Sequence, residues 1–297
     1  MKCDLCPRKC LVDRKKGEKG ICGQTENLKV ARAALHFWEE PCISGDAGSG
    51  AVFFSGCPLH CVFCQNENIA NGTVGKEISL ERLVDIFLEL QEKRANNINL
   101  VTPGHFVPQI VKALDQARKE GLTLPVVYNT SSYETVDTIK MLEGYVDIYL
   151  PDFKYMSPVL SKKYSHAPDY AEVAKAAIAE MVRQTGKAVF VNGDEDNLIL
   201  SGTIVRHLTL PGCMADSMQI LKYLHDTYGD KIYISIMNQF TPLSNLEKYP
   251  ELNRRITDEE YETLVDYAID IGIENGFIQE GDTAEESFIP AFDCEGV

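Results

Sequence analysis

No apolar run in this 297-residue chain approaches the ~20 residues that a membrane-crossing helix needs, so a helical span is excluded. Blocks of clustered Lys and Arg are also missing. Basic residues number 29 against 44 acidic ones, for a formal net charge of −15. Contacts to a phosphate backbone need clustered cations, which argues against nucleic-acid binding. No Gly-x-Gly-x-x-Gly run follows an apolar segment and no phosphate-loop lysine motif occurs, so a nucleotide-binding α/β protein lacks its usual signal. The start, Met1-Lys2-Cys3-Asp4, carries no apolar secretion segment, and a cytoplasmic protein is expected. There is no internal repeat or low-complexity tract. Against these absences stand ten cysteines. Without a secretion signal, they point to metal or redox use before disulfides.

Hydrophobic residues make up 44% of the chain and charged residues 25%, an ordinary globular composition. The length fits one large domain with a small appendage. The expected division is a Cys-rich N-terminal metal-binding extension over 1–44 and a larger domain with a C-terminal extension over 45–297. Within that domain short apolar runs alternate with helix-period segments. Strands are expected at 51–55, 98–101, 126–128, 146–150, 204–210 and 232–237. Helices are expected between them, behind Ser79, around Ile110, Val111 and Leu114, at 135–142, at 170–185, from Asp216 as a cap to about 228, and from Asp258 to about 272. Residues 188–191 and 197–200 flank the polar turn Gly193-Asp194-Glu195-Asp196 and read as a hairpin. With that hairpin set aside, six β/α units remain. They predict an α/β fold with a parallel sheet, an incomplete (β/α)6 TIM-like barrel, and leave a doubly wound open sheet as the alternative.

Three cysteines stand in one short run, Gly56-Cys57-Pro58-Leu59-His60-Cys61-Val62-Phe63-Cys64, directly after the first strand. The spacing C-x3-C-x2-C offers three thiolates to a cubane iron–sulfur cluster, and no fourth cysteine follows nearby. One iron would then stay open for a ligand, which is a mark of chemistry. The competing reading is zinc, which would need His60 or a distant fourth partner. In a parallel barrel, chemistry gathers at the C-terminal strand ends. Polar residues fall there: Thr102-Pro103-Gly104-His105, Asn129-Thr130-Ser131-Ser132, Asp152-Phe153-Lys154, Arg206 before Pro211-Gly212, and Met237-Asn238-Gln239. Their plain readings are turns, helix caps, a solvated ion pair and, for His105, a satisfied polar residue.

The cysteine loop, with an aromatic residue before its last cysteine, resembles the radical S-adenosylmethionine (SAM) superfamily. The resemblance implies a partial barrel. It also implies a [4Fe–4S] cluster on Cys57, Cys61 and Cys64 whose open iron is chelated by SAM. Reductive cleavage of SAM would then yield a 5′-deoxyadenosyl radical that abstracts hydrogen. It places Phe63 against the adenine and the Thr102-Pro103-Gly104 segment at the SAM amino group. The family's acidic residue is missing from that segment, and His105 follows Gly104. Asn129, Thr130 and Ser131 suit the ribose hydroxyls and the SAM carboxylate, and Arg206 and Met237 complete the cofactor-binding set. Asp152-Phe153-Lys154 resembles a segment of the pyruvate formate-lyase activating enzymes. There the aspartate serves a monovalent cation near SAM and the lysine faces the site. Leu208-Thr209-Leu210-Pro211-Gly212 resembles that group's Val-Pro-Gly turn near SAM, while 235–240, Arg254-Arg255-Ile256-Thr257, Glu260-Tyr261 and the N-terminal Cys-x2-Cys-Pro-Arg run resemble a subgroup labelled type X. An electron donor such as flavodoxin or ferredoxin is implied as a partner. The substrate could be a glycyl-radical-enzyme-type protein, another peptide or a small molecule. Against activase function, 45–50 lacks the arginine of the activases' Asp-Gly-Pro-Gly-x-Arg run. The alternative function is a non-catalytic iron–sulfur or zinc protein for electron transfer or scaffolding.

Cys3, Cys6, Cys10 and Cys22 form a second group, C-x2-C-x3-C-x11-C, among Lys, Arg and Gly. Such a segment cannot build a hydrophobic core, and a metal would staple it. Zinc, a second iron–sulfur cluster and a metal-free redox tail all remain readings. Cys42, Cys213 and Cys294 are isolated and read as small hydrophobes, with Cys213 placed to face the cavity.

Overall fold

Runs such as Ala51-Val52-Phe53-Phe54 are short, apolar and rich in β-branched and aromatic residues, and they form strands buried on both faces. A computed structural model describes residues 2–194, 197–242, 246–279 and 290–297. Its strands are β1 (Leu28–His36), β2 (Ser49–Phe54), β3 (Lys76–Ile78), β4 (Ile98–Val101), β5 (Val126–Thr130), β6 (Ile148–Pro151), β7 (Val189–Phe190), β8 (Ile199–Leu208), β9 (Tyr233–Met237) and β10 (Gly276–Ile278). The helices are α1 (Pro41–Ser44), α2 (Glu67–Ala70), α3 (Leu80–Glu92), α4 (Val107–Lys119), α5 (Val136–Lys140), α6 (Pro158–Ser165), α7 (Tyr170–Thr185), α8 (Met214–Tyr228) and α9 (Asp258–Asp270). Among the described residues no helix is long and apolar enough to cross a membrane.

The strands form one ten-stranded sheet in the order β10-β9-β8-β6-β5-β4-β2-β1-β3, with β7 joined to β8. From β2 to β10 every neighbour on that path is parallel. Helices α3 and α4 pack on the outer face around Phe54, Phe87, Phe106 and Tyr128. Side chains of the opposite face, from Phe53, Val101, Asn129, Arg206, Ser235 and Phe277, line a cavity. A doubly wound sheet would bury that face under helices, so the partial barrel is the architecture present. The path ends at β10 and β3, and the described strands do not close a ring.

Several elements differ from the sequence reading. Strands β1, β3 and β10 were not expected, and β1 runs antiparallel to both β2 and β3. Residues 28–36 therefore belong to the barrel's own sheet, while 2–27 precede it. The expected hairpin at 188–200 and the strand at 204–210 share one strand, β8. Its first part pairs antiparallel with β7, and from Gly202 it pairs parallel with β6. Glu195 and Asp196 of the turn lie outside the described residues. Asp216 does not cap its own helix. Its carboxylate instead accepts the N–H groups of Met156 and Ser157 at 2.9 and 2.7 Å. The helix cap assigned to the Asn129–Ser131 region belongs to Thr135, whose hydroxyl accepts from Thr138 N–H. Ser79 caps α3 as expected.

Gly202 makes the change of partner possible. Its φ of +149° is open to glycine alone, and a Cβ there would stand 2.9 Å from Ala188. Gly202→Ala should cost about 1–3 kcal/mol. Urea unfolding checks this; unchanged stability would show that the switch carries no strain.

Candidate active site

The cysteine loop leaves β2 through Gly56 at φ +92°, where a Cβ would collide with the carbonyl oxygen of Cys22. The loop is then pinned by backbone and thiol contacts. Leu59 N–H donates to Cys57 Sγ at 3.4 Å, and Val62 N–H to the Tyr164 carbonyl at 2.9 Å. The Ser165 hydroxyl donates to Cys61 Sγ at 3.1 Å. Cys57, Cys61 and Cys64 all line the cavity, and no other cysteine does among the described residues. Burial, then repulsion from Cys61, pushes the Cys57 thiol up to about 11. Burial, then Cys61 and Cys57, pushes Cys64 up as well. Burial raises Cys61 too, and three buried thiols this close lose their protons together only beside a positive centre. This donor set fits three corners of an iron–sulfur cluster. Among the described residues no group of three or more Cys, His, Asp or Glu side chains is set to hold a metal ion. The thiolates of a cubane each hold a different iron and need not converge on one point.

Behind the thiols lies a buried charge network. Arg206 on β8 donates from Nε to Asp152 Oδ1 at 2.9 Å, from Nη1 to Glu39 Oε2 at 2.8 Å and from Nη2 to Asn129 Oδ1 at 2.7 Å. Lys154 Nζ donates to Asp152 Oδ2 at 2.7 Å. Glu39 Oε1 accepts from Asn99 and Asn129, each at 3.0 Å. Burial alone would raise the Asp152 pKa; the Lys154 and Arg206 charges outweigh it and hold the carboxyl below its ordinary value. Burial would likewise lower Lys154, and Asp152 and Cys61 raise it. The ammonium thus stands electrostatically between a carboxylate and a cluster thiol. Glu40 is raised by burial, and among the described residues its Oε2 has no hydrogen-bond partner.

Two side chains outside the cavity wall fix Asp152-Phe153-Lys154 in place. The Tyr170 hydroxyl accepts from Lys154 N–H at 2.9 Å and lies 2.9 Å from the carbonyl oxygens of Ser131 and Asp152. His207 donates from Nδ1 to the Phe153 carbonyl at 2.8 Å, and its Nε2 meets the Ser217 hydroxyl at 2.8 Å. Burial pulls His207 down to about 4, so it is neutral.

The structure brings together most residues expected at the site. Phe63, Thr102, Asn129, Thr130, Ser131, Asp152, Lys154, Arg206 and Met237 line the cavity with the three cysteines. Phe63 turns its ring into an aromatic cluster with Tyr155, Tyr164 and Phe240, at centroid separations of 6.4, 6.4 and 5.9 Å. The ring thus packs in that cluster while it also borders the cavity. Pro103, Gly104 and His105 do not line the cavity. Gly104 abuts the Glu134 carboxylate, which burial pushes up to about 7. His105 is spent on the Ser55 carbonyl, 2.7 Å from Nε2. Left-handed backbone gathers at the rim, at His60 (φ 50°), Thr102 (φ 55°) and Ser132 (φ 63°). For a β-branched residue such as Thr102 this conformation is strained, and such strain concentrates at functional sites. Cys3 and Cys10 are half-buried, Cys6 and Cys22 buried, and all four are free thiols. Cys42 is buried, as expected of a small hydrophobe, whereas Cys213 and Cys294 are half-buried.

Glu39, Tyr170, His207 and Glu134 were not singled out from sequence. The signal for Glu39 was present: Trp38-Glu39-Glu40-Pro41 puts two acids beside a tryptophan, ahead of a buried turn.

Residues 51–197 match the family model of the Radical SAM superfamily. An uncharacterized protein of Methanocaldococcus jannaschii is 28% identical over 272 residues, covering 90% of this chain and 74% of that protein. Among solved structures, Streptococcus suis SuiB bound to S-adenosylmethionine is similar with a TM-score of 0.52 and 12% identity, over 76% of this chain and 48% of that one. SuiB bound to its precursor peptide SuiA gives a TM-score of 0.51 at 12% identity, over 76% and 47%. HydG, a maturase of the [FeFe]-hydrogenase, gives 0.51 at 15% identity, over 78% and 52%. The chain thus spans about half the length of these solved proteins, and the likeness to them is one of fold.

The neutral, buried His207 makes a pH prediction. Its pKa falls from 6.5 to about 4 on folding. The folded state then binds fewer protons than the unfolded one between these values. The stability it contributes is complete above pH 6.5 and is lost as pH falls toward 4, by about 3 kcal/mol. His207→Asn keeps a donor for the Phe153 carbonyl and should flatten this part of the profile. Urea unfolding at pH 7 and pH 4.5 compares the two; parallel profiles would refute the buried neutral imidazole.

Proposed function

We propose, on the premise that residues 51–197 of this chain are a radical SAM superfamily domain, that the protein cleaves S-adenosylmethionine reductively and passes a hydrogen atom from a separate substrate to the product. When bound, a [4Fe–4S] cluster with SAM supplies the electron transfer and sulfonium cleavage that yield a 5′-deoxyadenosyl radical. Cys57, Cys61 and Cys64 would hold three of its irons. The observation that carries the reading is the meeting of three cavity-lining thiols with the Asp152–Lys154–Arg206 network at the strand ends. Lys154 balances negative charge beside Cys61, and Arg206 keeps Asp152 ionised. Asn129, Thr130 and Ser131 offer hydrogen-bonding groups to the ribose and carboxylate of SAM. Leu59, Cys64 and the packed Phe63 help to keep water from the reacting bond. A monovalent cation at Asp152 would share a carboxylate whose two oxygens already accept from Lys154 and Arg206.

The hydrogen donor we propose is a C–H bond of a peptide or protein segment, with a glycyl-radical-enzyme-type protein among the candidates. Strand β10 supports this reading. It ends the sheet among the described strands, and Phe277 and Ile278 on it line the cavity, so an extended chain could lie along that edge. A flavodoxin- or ferredoxin-type protein would supply the electron. Activase chemistry of the pyruvate formate-lyase type is one form of this function.

Two outcomes check the reading. Replacing any one of Cys57, Cys61 and Cys64 by Ala should abolish 5′-deoxyadenosine formation after anaerobic reconstitution. Retained cleavage in these variants would overturn the cysteine assignment, whereas an unaltered protein that forms no 5′-deoxyadenosine and whose reduced cluster is spectrally indifferent to SAM would favour an electron carrier. Asp152→Asn removes the charge between two cations. It should leave iron content unchanged and lower SAM turnover by about 10²-fold, the size typical of losing one preorganised charge at a reacting centre. Unaltered turnover would take Asp152 out of the site.

A further inference from the structure

Between residues 2 and 27 only Cys6, Arg14, Cys22 and Gln24 are buried. This segment has no hydrophobic core, yet it is folded back on itself. Cys3 pairs with the segment after it, through Cys3 N–H to the Val12 carbonyl at 2.9 Å and Leu11 N–H to the Cys3 carbonyl at 3.0 Å. Lys9 N–H closes a turn onto the Cys6 carbonyl at 3.0 Å, and Gly23 N–H closes another onto Gly20 at 3.0 Å. Cys10 Sγ lies against Gly20, where a Cβ would overlap it. These contacts fold the four cysteine-bearing turns into one small lobe. A polar lobe of this size needs a cross-link to stay folded, and its four thiols are not joined as disulfides.

The lobe grips the loop that carries the cavity cysteines. Arg8 donates from Nε to the Pro58 carbonyl at 2.9 Å and from Nη2 to the Ser165 carbonyl at 2.9 Å, with its guanidinium 5.1 Å over the Tyr133 ring. His60 Nε2 meets the Ile21 carbonyl at 2.7 Å. The Cys22 carbonyl occupies the space that a Cβ at Gly56 would need. Arg8 and Ile21 are each within two residues of a lobe cysteine, and their loop partners lie within one residue of Cys57 or Cys61.

We propose that Cys3, Cys6, Cys10 and Cys22 form a second thiolate metal site, for zinc(II) or an iron–sulfur cluster, and that its loading locks the loop 56–60 in place. Among the described residues these thiols are not grouped as a closed metal site, yet they lie near enough to interact electrostatically, Cys6 with Cys3 and Cys22, and Cys22 with Cys3 and Cys10. The site stands apart from the barrel chemistry, so its failure and that of the SAM reading are separable.

The test uses the full chain with Cys57, Cys61 and Cys64 replaced by Ala, reconstituted anaerobically with zinc alone or with iron and sulfide. Elemental analysis and absorption spectra should show one metal centre per chain. That centre should vanish when Cys3, Cys6, Cys10 and Cys22 are also replaced by Ser. Zinc without iron identifies a mononuclear site, and iron with sulfide identifies a cluster. Neither metal above the level of the variant lacking all seven cysteines overturns the proposal. The locking role is read by hydrogen exchange in the otherwise unaltered chain. Arg8→Ala keeps all four thiols and should keep the metal, while the amides of Leu59 and His60 exchange roughly tenfold faster. Removing the lobe metal with a chelator should do the same, and unchanged exchange in both cases overturns the locking.

Discussion

Arg206 is the group on which the barrel interior depends. A guanidinium buried this deeply is tolerable only when its donors are met by charge and by fixed acceptors. Here they are met from three directions: Asp152 after β6, Asn129 on β5 and Glu39 from the loop after β1. Asp152 also accepts from Lys154 and Glu39 from Asn99, while Asn129 in turn donates to Glu39. Removing one partner leaves the others buried and unpaired, at a cost of about 3–5 kcal/mol. The network therefore specifies which strand ends stand beside which, and it does so on the face where a helix layer is missing. It also sets the electrostatics that the cysteine loop meets, because the ammonium of Lys154 is fixed by the same carboxylate that Arg206 neutralises.

This arrangement explains why strain is affordable at the rim. His60, Thr102 and Ser132 adopt left-handed backbone at three different loop positions. Each is tied down next to its strained bond or through its own side chain: His60 to Ile21, Thr102 N–H to the Asn129 carbonyl, and Ser132 N–H to the Thr130 hydroxyl. A floor of interlocked charges and an outer core of packed aromatics over-determine these loops, which is the condition under which strained backbone persists. The Tyr170 hydroxyl adds a join between the loops after β5 and β6, so neither can shift without the other.

Much of this was legible in the sequence, for a physical reason. Parallel strands buried on both faces read as short apolar runs, and the rule that function gathers at their C-terminal ends selects the residues that follow them. That rule singled out Asp152, Lys154 and Asn129 without any contact information, while Arg206 was noted within its strand, ahead of Pro211-Gly212. It failed for Glu39, because β1 runs antiparallel and delivers its following loop to the opposite end of the sheet, from which Glu39 reaches back into the interior. It was misleading for Gly104 and His105, which follow a strand but turn outward against Glu134 and Ser55. Strand position says which end of a barrel a residue occupies; it does not say which face its side chain takes. Strand β8 escaped for a different reason: Gly202 looks like a breaker, yet it is the residue that lets one strand exchange an antiparallel partner for a parallel one.

Phe63 shows how one motif residue can serve two surfaces. An aromatic residue ahead of the last cysteine is part of what makes the loop recognisable. Its ring packs edge-on against Tyr155, Tyr164 and Phe240, and Tyr155 shares the Ser165 hydroxyl that donates to Cys61. The same side chain borders the cavity. The aromatic therefore acts on the loop itself: it anchors the backbone between Cys61 and Cys64 to α6, and it gives the cavity an apolar wall there. Packing and cavity place the same demand on position 63: a large apolar ring in a fixed orientation.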